Sequence, residues 1–158
     1  MTETDRHTGF VPLPPLIYLA ALVVGVVLGV FVPLPWIGGI LADILLAFGW
    51  IAIVAALALW FSAVRTMRRA GTTLNPKGTP EHLLTVGPFA VSRNPIYLAA
   101  TLLLIGIALV TANVWTLLMS FVAAFLTGKL AVEYEEKILA QRFGKKYRDY
   151  AKRVRRWI

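Results

Sequence analysis

The sequence predicts an all-α fold, an integral membrane helical bundle of four transmembrane helices followed by amphipathic, interfacial helices toward the C-terminus. Hydrophobic residues make up 58% of the 158 residues and charged residues only 15%, too little polar surface to cover a water-facing globule. Several uninterrupted apolar runs approach the roughly 20 residues that a helix needs to cross a bilayer. The third observation is that every lysine and arginine lies on one side of those runs.

The first span covers about 11–31 and ends at "PLPWIGG" (33–39), whose prolines and glycines punctuate a turn. Its flank "MTETDRHTG" is weakly basic and no small-x-small pattern closes the run, which argues against a cleaved signal peptide. Gly25-x-x-x-Gly29 within it suits close helix–helix approach inside the bundle. The second span covers about 40–64, with Asp43 as an interfacial cap near its outer end. A loop over 65–94 leads to the third span, 95–110, which is short enough to call for a partial-turn extension or a thinned bilayer. "TAN" (111–113) is a tight connection to the fourth span, 114–132, and the remainder, 133–158, forms the C-terminal helices. The whole chain reads as one membrane domain.

Of the bases, Arg6 precedes the first span, five fall between Arg65 and Arg93, and ten lie from Lys129 onward. None falls in either of the other two turns, so the positive-inside rule puts both termini on the cytoplasmic side of an inner membrane. A formal charge of +8 raises nucleic acid as a partner. The bases sit where headgroups would be, however, so anionic membrane lipids are expected and nucleic acid is not. The absence of cysteine excludes disulfides, thiolate zinc sites and cysteine nucleophiles. His7 and His82, far apart, argue against a histidine metal site, and no metal is expected.

The tight turn near Ala112 makes the last two spans antiparallel. Counting back equally from it places Arg93 level with Val132, Tyr97 with Gly128 and Ala90 with Glu135. "SRNPIYLA" (92–99) and the acids of "EYEE" (133–136) therefore converge at one interface, with Gly128 leaving room opposite the Tyr97 ring. Asn94 followed by Pro95 reads as an N-cap and a first helical residue, and Arg93 and Tyr97 also suit interfacial anchoring. Three of only eight carboxylates fall within these four residues, and that concentration favours a site. In "EEKILAQRFGKKYRDYAKRVRRWI", Gly144 separates two short helices. The second repeats Tyr147, Tyr150, Ala151 and Val154 at helical spacing among basic residues, as a lipid-surface helix does or as a helix closing over the glutamates would.

"HLLTVGPFAVSRNPIYLA" followed by "EEKILAQRFGKKYRDYAKRV" resembles the isoprenylcysteine carboxyl methyltransferase family and its bacterial relatives. The resemblance covers about residues 71–158. It implies a membrane enzyme that uses S-adenosylmethionine at the cytoplasmic face and draws a lipophilic or lipidated acceptor from the bilayer. By position, the cofactor pocket would include Glu81, His82, Leu83, Leu84, Phe89, Asn94, Pro95, Ile96, Tyr97 and Glu135, supported by Gly87, Arg93 and Glu136. Arg93, Lys129 and Glu136 are candidates for positioning the reactants; no catalytic acid or base is assigned.

The roles are chemically reasonable. A carboxylate pairs with the cofactor's ammonium or accepts from its ribose, an arginine pairs with its carboxylate, and aromatic faces attract its sulfonium. Three positions depart from the family. Ala131 stands where eukaryotic carboxyl methyltransferases have an acceptor-associated arginine, with Lys129 the nearest base, which argues against prenylcysteine as the acceptor. Phe89 replaces a common tyrosine, and Asn94 a histidine. Phospholipid N-methyltransferases share the glutamate pair, so a lipid amine and a carboxylate both remain as acceptors. An NADPH-dependent sterol-type reductase and a non-catalytic membrane scaffold are the alternative readings.

Overall fold

A computed structural model describes residues 14–71 and 82–158, and among these there is no β-strand. Helix α1 (Pro14–Phe31) opens on two prolines, whose fixed φ suits a first turn. It stops short of the proline and glycine segment. Helix α2 (Ile40–Arg69) runs for 30 residues until Gly71 turns the chain with φ of 65°. A single 3-10 turn (Gly87–Ala90) precedes α3 (Pro95–Val110), and α4 (Val114–Thr127) follows the tight turn. In that turn Ala112 adopts φ of 51°, and the Asn113 side chain caps α4 by accepting from the Thr116 N–H at 3.1 Å.

The boundary expected at residue 132 is absent. The chain passes from α4 through a π turn (Gly128–Val132) directly into α5 (Glu133–Phe143), giving one continuous helix from Val114 to Phe143. The residues on either side of the π turn keep helical dihedrals, and no proline or non-helical glycine interrupts until Gly144, whose φ of 52° ends α5. Helix α6 (Lys145–Arg153) follows, and the chain turns extended at Val154. Among the described residues three helices are long and apolar enough to cross a membrane, namely α1, α2 and Val114–Phe143; α3, at 16 residues, is shorter than that standard.

The α3–α4 hairpin is the centre of the bundle, with α2 packed along α3 and α1 along α4. Small residues let the backbones approach. A Cβ added at Gly106 would lie 2.7 Å from Ile53 Cγ1 and 2.9 Å from the Gly49 carbonyl, and one at Gly25 would lie 2.6 Å from Thr116 Cα. Gly25 and Gly29 thus pack within the chain, Gly29 against the Asn113 amide. Ala56, Ala63, Ala99, Ala108 and Ala123 are buried, whereas large apolar residues such as Ile51, Val54 and Phe61 face outward. That inversion suits a bundle whose surroundings are hydrocarbon, where close van der Waals contact replaces water exclusion as the drive for helix association. Asp43 is exposed in the first turn of α2, which Gly39 begins without a side-chain cap. Polar ties hold α1 to the hairpin: Tyr18 Oη bonds Thr101 Oγ1 at 2.7 Å and donates to the Tyr97 carbonyl at 3.2 Å, and Trp115 Nε1 donates to the Val32 carbonyl at 2.7 Å.

Thermal unfolding in detergent checks this packing. Gly25→Val should destabilise by about 1–3 kcal/mol through forced separation of α1 and α4. Gly38→Ala, with open space where its Cβ would go, should change the midpoint little.

Candidate functional site

The first turn of α3 and the first turn of α5 meet at the same end of the bundle. Tyr97 Oη donates to Glu135 Oε1 at 2.5 Å. Counting residues places Tyr97 opposite Gly128, yet its partner is seven positions farther on. The direction of helical side chains accounts for the difference. Side chains lean toward the N-terminus of their own helix, so Tyr97 leans toward the end of the bundle and Glu135 leans back toward its middle. The π turn adds to this by accommodating an extra residue in one turn of helix.

Glu136, one position along, has a different environment. Arg93 Nη2 lies 3.2 Å from its Oε1, with the two side chains 15% and 17% exposed. Arg156 adds a two-pronged contact, Nη2 to Oε2 at 2.7 Å and Nε to Oε1 at 3.2 Å. The bond to Glu136 holds the Arg156 guanidinium pKa above its usual value. Arg93 Nη1 also donates to Tyr147 Oη at 3.2 Å, which leaves only the buried Nε of Arg93 without a partner. Glu136 is thus clamped between two guanidiniums. Among the described residues Glu135 receives a hydrogen bond from Tyr97 alone, on one oxygen.

The second guanidinium belongs to an extended tail, Val154–Trp157, that straps across the corner. The Arg93 N–H donates to the Arg155 carbonyl at 3.0 Å. Ser92 Oγ and Asn94 Nδ2 both donate to the Arg156 carbonyl, at 3.2 and 3.1 Å. Asn94 does precede α3, with Pro95 at its first position, but its side chain makes no cap bond. The extended tail carries a carbonyl with no helical donor, and the Asn94 amide serves that acceptor instead. Ser92 Oγ in turn accepts from the Asn94 N–H at 3.1 Å. Nor does Gly128 make room for the Tyr97 ring; Trp157 lies there, with its Cζ2 3.7 Å from where a Cβ would be.

Helix α6 closes the remaining side. Tyr147 and Tyr150 are 5% and 4% exposed, with ring centroids 6.3 Å apart and edge to face. Tyr150 Oη donates to the Phe89 carbonyl at 2.6 Å. Burial pushes the Tyr147 phenol pKa up and that of Tyr150 to about 12. Of the two sequence readings for this helix, closing over the glutamates is the one its buried aromatic face supports. Gly87 begins the 3-10 turn with φ of 60°, and a Cβ there would lie 3.3 Å from Thr66 Oγ1, so the turn rests on α2.

The structure brings Arg93, Asn94, Tyr97, Glu135 and Glu136 into one network and ties Phe89 to it through Tyr150. Pro95 is buried and Ile96 half-buried in the same turn of α3. Lys129 sits at the exposed edge of the network: it pairs at 2.9 Å with Glu133 on its own helix, and the same Glu133 oxygen lies 3.7 Å from Arg156 Nη1. His82 is exposed and Leu83 and Leu84 are half-buried in an irregular segment; Glu81 lies outside the described residues. Ser92, Arg156 and Trp157 are additions that the sequence reading missed. The only signal for Arg156 was its place in a run of bases where any one would have served.

A model of the phospholipid methyltransferase family matches residues 44–146, well over half of the chain. The matched stretch takes in the Arg93–Tyr97 corner and both glutamates but ends before Tyr147, Tyr150 and the strap. No curated protein matches the chain.

Two measurements probe the site's architecture. Arg156→Ala should lower stability by roughly 2–4 kcal/mol, because it removes one partner of a partly buried ion cluster, whereas Arg156→Lys should recover part of the loss; unfolding in detergent reads both. The second concerns pH. Tyr150 has a folded pKa of about 12 against an ordinary 10.0, so above pH 10 the unfolded chain releases this proton first and stability falls until about pH 12. In Tyr150→Phe that fall should become shallower, at a cost of about 1 kcal/mol at neutral pH for the lost hydrogen bond.

Proposed function

The chain belongs to the phospholipid methyltransferase family, and on that premise we propose that it is a membrane enzyme transferring a methyl group from S-adenosylmethionine to a lipophilic acceptor. The observation that carries this reading is the unequal treatment of the two glutamates. Glu136 is neutralised by Arg93 and Arg156, while Glu135 keeps a carboxylate oxygen unmatched by protein among the described residues. One acid builds the corner; its neighbour is left to take a cation or a pair of hydroxyls.

The residues present suit that cofactor. Bound there, it would supply an electrophilic methyl group on a sulfonium. Glu135 would hold the ammonium or the ribose hydroxyls, and Tyr97 fixes the carboxylate by its short hydrogen bond. The rings of Phe89 and Tyr97 offer faces for a sulfonium. Both terminal nitrogens of Arg93 are engaged, Nη2 with Glu136 and Nη1 with Tyr147, so its part is to position the acid rather than to grip the cofactor's carboxylate. Lys129 is engaged with Glu133 on its own helix and is given no part in holding the cofactor.

The acceptor would be a lipid amine or a carboxylate reached from the bilayer, and would receive the methyl group from the bound cofactor, with a thioether as the leaving group. Protein contributes by holding the two reactants in line and keeping water out, effects worth several kcal/mol, of order 7–11 in well-oriented cases. In this reading α3, third in chain order and shorter than the others, also crosses the bilayer and brings the spans to four. On the same reading the positive-inside rule assigns the basic end of the bundle, and both termini, to the cytoplasmic face of an inner membrane, and anionic lipids meet the exposed bases of α6.

Thermal shift in detergent tests the proposal. S-adenosylhomocysteine should stabilise the protein and NADPH should not, since a ligand that binds only the folded state raises its stability. Glu135→Ala should weaken that binding by about tenfold to a hundredfold with the unfolding midpoint of the unliganded protein little changed, and Tyr97→Phe should weaken it less. Stabilisation by NADPH alone would point to a reductase, and no response to either nucleotide would leave a scaffold.

A further inference from the structure

A second cluster of charge lies apart from the glutamates, at the end of α2. Arg65, Arg68 and Arg69, with Phe61 and Val64, line a recess of about 310 Å³. Their spacing puts Phe61, Arg65 and Arg68 on one helical face, with Val64 and Arg69 flanking it. All three arginines are exposed, and among the described residues no carboxylate lies within ion-pair distance of any of them. The methyl-transfer reading gives these residues no role.

The length of α2 fixes what surrounds them. Thirty residues make a helix about 45 Å long, whereas the hydrocarbon core of a bilayer is about 30 Å thick. With Ile40 at one boundary, the opposite boundary falls near Trp60 and the last turns enter the headgroup layer. Ile51, Val54 and Phe61 on this helix are each more than half exposed, as residues facing acyl chains are. Trp60 packs edge to face on Phe61 with centroids 5.1 Å apart, in the position an interfacial aromatic takes. The recess therefore has an apolar wall toward the acyl region and three guanidinium forks at phosphate depth.

We propose that this recess is a binding site for the phosphate of an anionic phospholipid, distinct from the Tyr97–Glu135 cluster. Guanidinium pairs with phosphate oxygens through two parallel hydrogen bonds, and the exposed Phe61 ring offers contact to the glycerol and upper acyl carbons. Three positive charges with no carboxylate partner among the described residues select a headgroup with net negative charge over a zwitterionic one. The inference is independent of methyl transfer and needs only that α2 crosses a bilayer.

Native mass spectrometry of the full chain in detergent, titrated with phosphatidylglycerol or phosphatidylcholine, tests it. The protein should retain phosphatidylglycerol in preference. Arg65→Gln/Arg68→Gln/Arg69→Gln should weaken that binding by about tenfold or more, while Lys145→Gln/Lys146→Gln/Lys152→Gln, which thins the other basic surface, should change it less than about twofold. Circular dichroism and the lipid-free unfolding midpoint verify that the triple variant folds. Should it not, Arg68→Lys keeps the charge but loses the fork, and a measurable weakening there supports the site. Undiminished binding in the arginine variants would overturn the proposal, as would an equal loss in the lysine variant, which would mean diffuse attraction. Displacement of the lipid by millimolar inorganic phosphate or NADPH would overturn it too, by marking the recess as a site for a soluble anion.

Discussion

An acid at the edge of an apolar bundle has to be matched by positive charge, and Glu136 is matched twice. Its partners come from widely separated parts of the chain, Arg93 just before α3 and Arg156 in the extended tail. Removing one member of such a cluster leaves the others poorly compensated in a medium less polar than water, so the three segments are held to one another. This contact also sets the neighbouring one. Arg93 precedes Tyr97 by one helical turn, and Glu135 adjoins Glu136 on α5. Once Arg93 and Glu136 are joined, the register of α3 against α5 is fixed, and the Tyr97 phenol is carried onto Glu135.

The rest of the bundle serves that register. Glycine and alanine at the α2–α3 and α1–α4 contacts bring backbones together closely enough that lateral slippage meets backbone atoms rather than yielding side chains. Tyr18 reaches from α1 to the Thr101 hydroxyl and the Tyr97 carbonyl, so the helix that presents Tyr97 is tied to α1 as well. The large apolar residues, freed from core packing, face outward.

Much of this was legible from residue order. The tight turn at 111–113 made the hairpin antiparallel, apolar lengths placed the helices, and the counting argument brought the arginine corner and the acids together. Equal counting from the turn sets Tyr97 opposite Gly128 only if residues are points on an axis. Side chains of antiparallel helices lean in opposite directions, and that lean pairs Tyr97 with Glu135 rather than leaving it opposite Gly128. Proline and glycine mark helix ends in a sequence, but nothing marks a π turn, so the passage from α4 into α5 was read as a boundary. The strap was out of reach for a different reason. An extended segment docked by its own carbonyls carries no side-chain pattern, and one arginine among ten bases does not announce its partner.

The strap has a further meaning for how the molecule comes into being. A ribosome makes Arg93 and Tyr97 first, then the paired acids, and reaches Arg156 only some twenty residues after Glu136. Until that residue emerges, Glu136 has half its counter-charge and the groove over Gly128 lacks Trp157. The hairpin can therefore enter the lipid and pair its helices while the corner is still open, and the closing event is the arrival of a short stretch that contributes almost nothing to the bundle's own packing. Released chains truncated just short of residue 154 would be inserted proteins with an unfinished site.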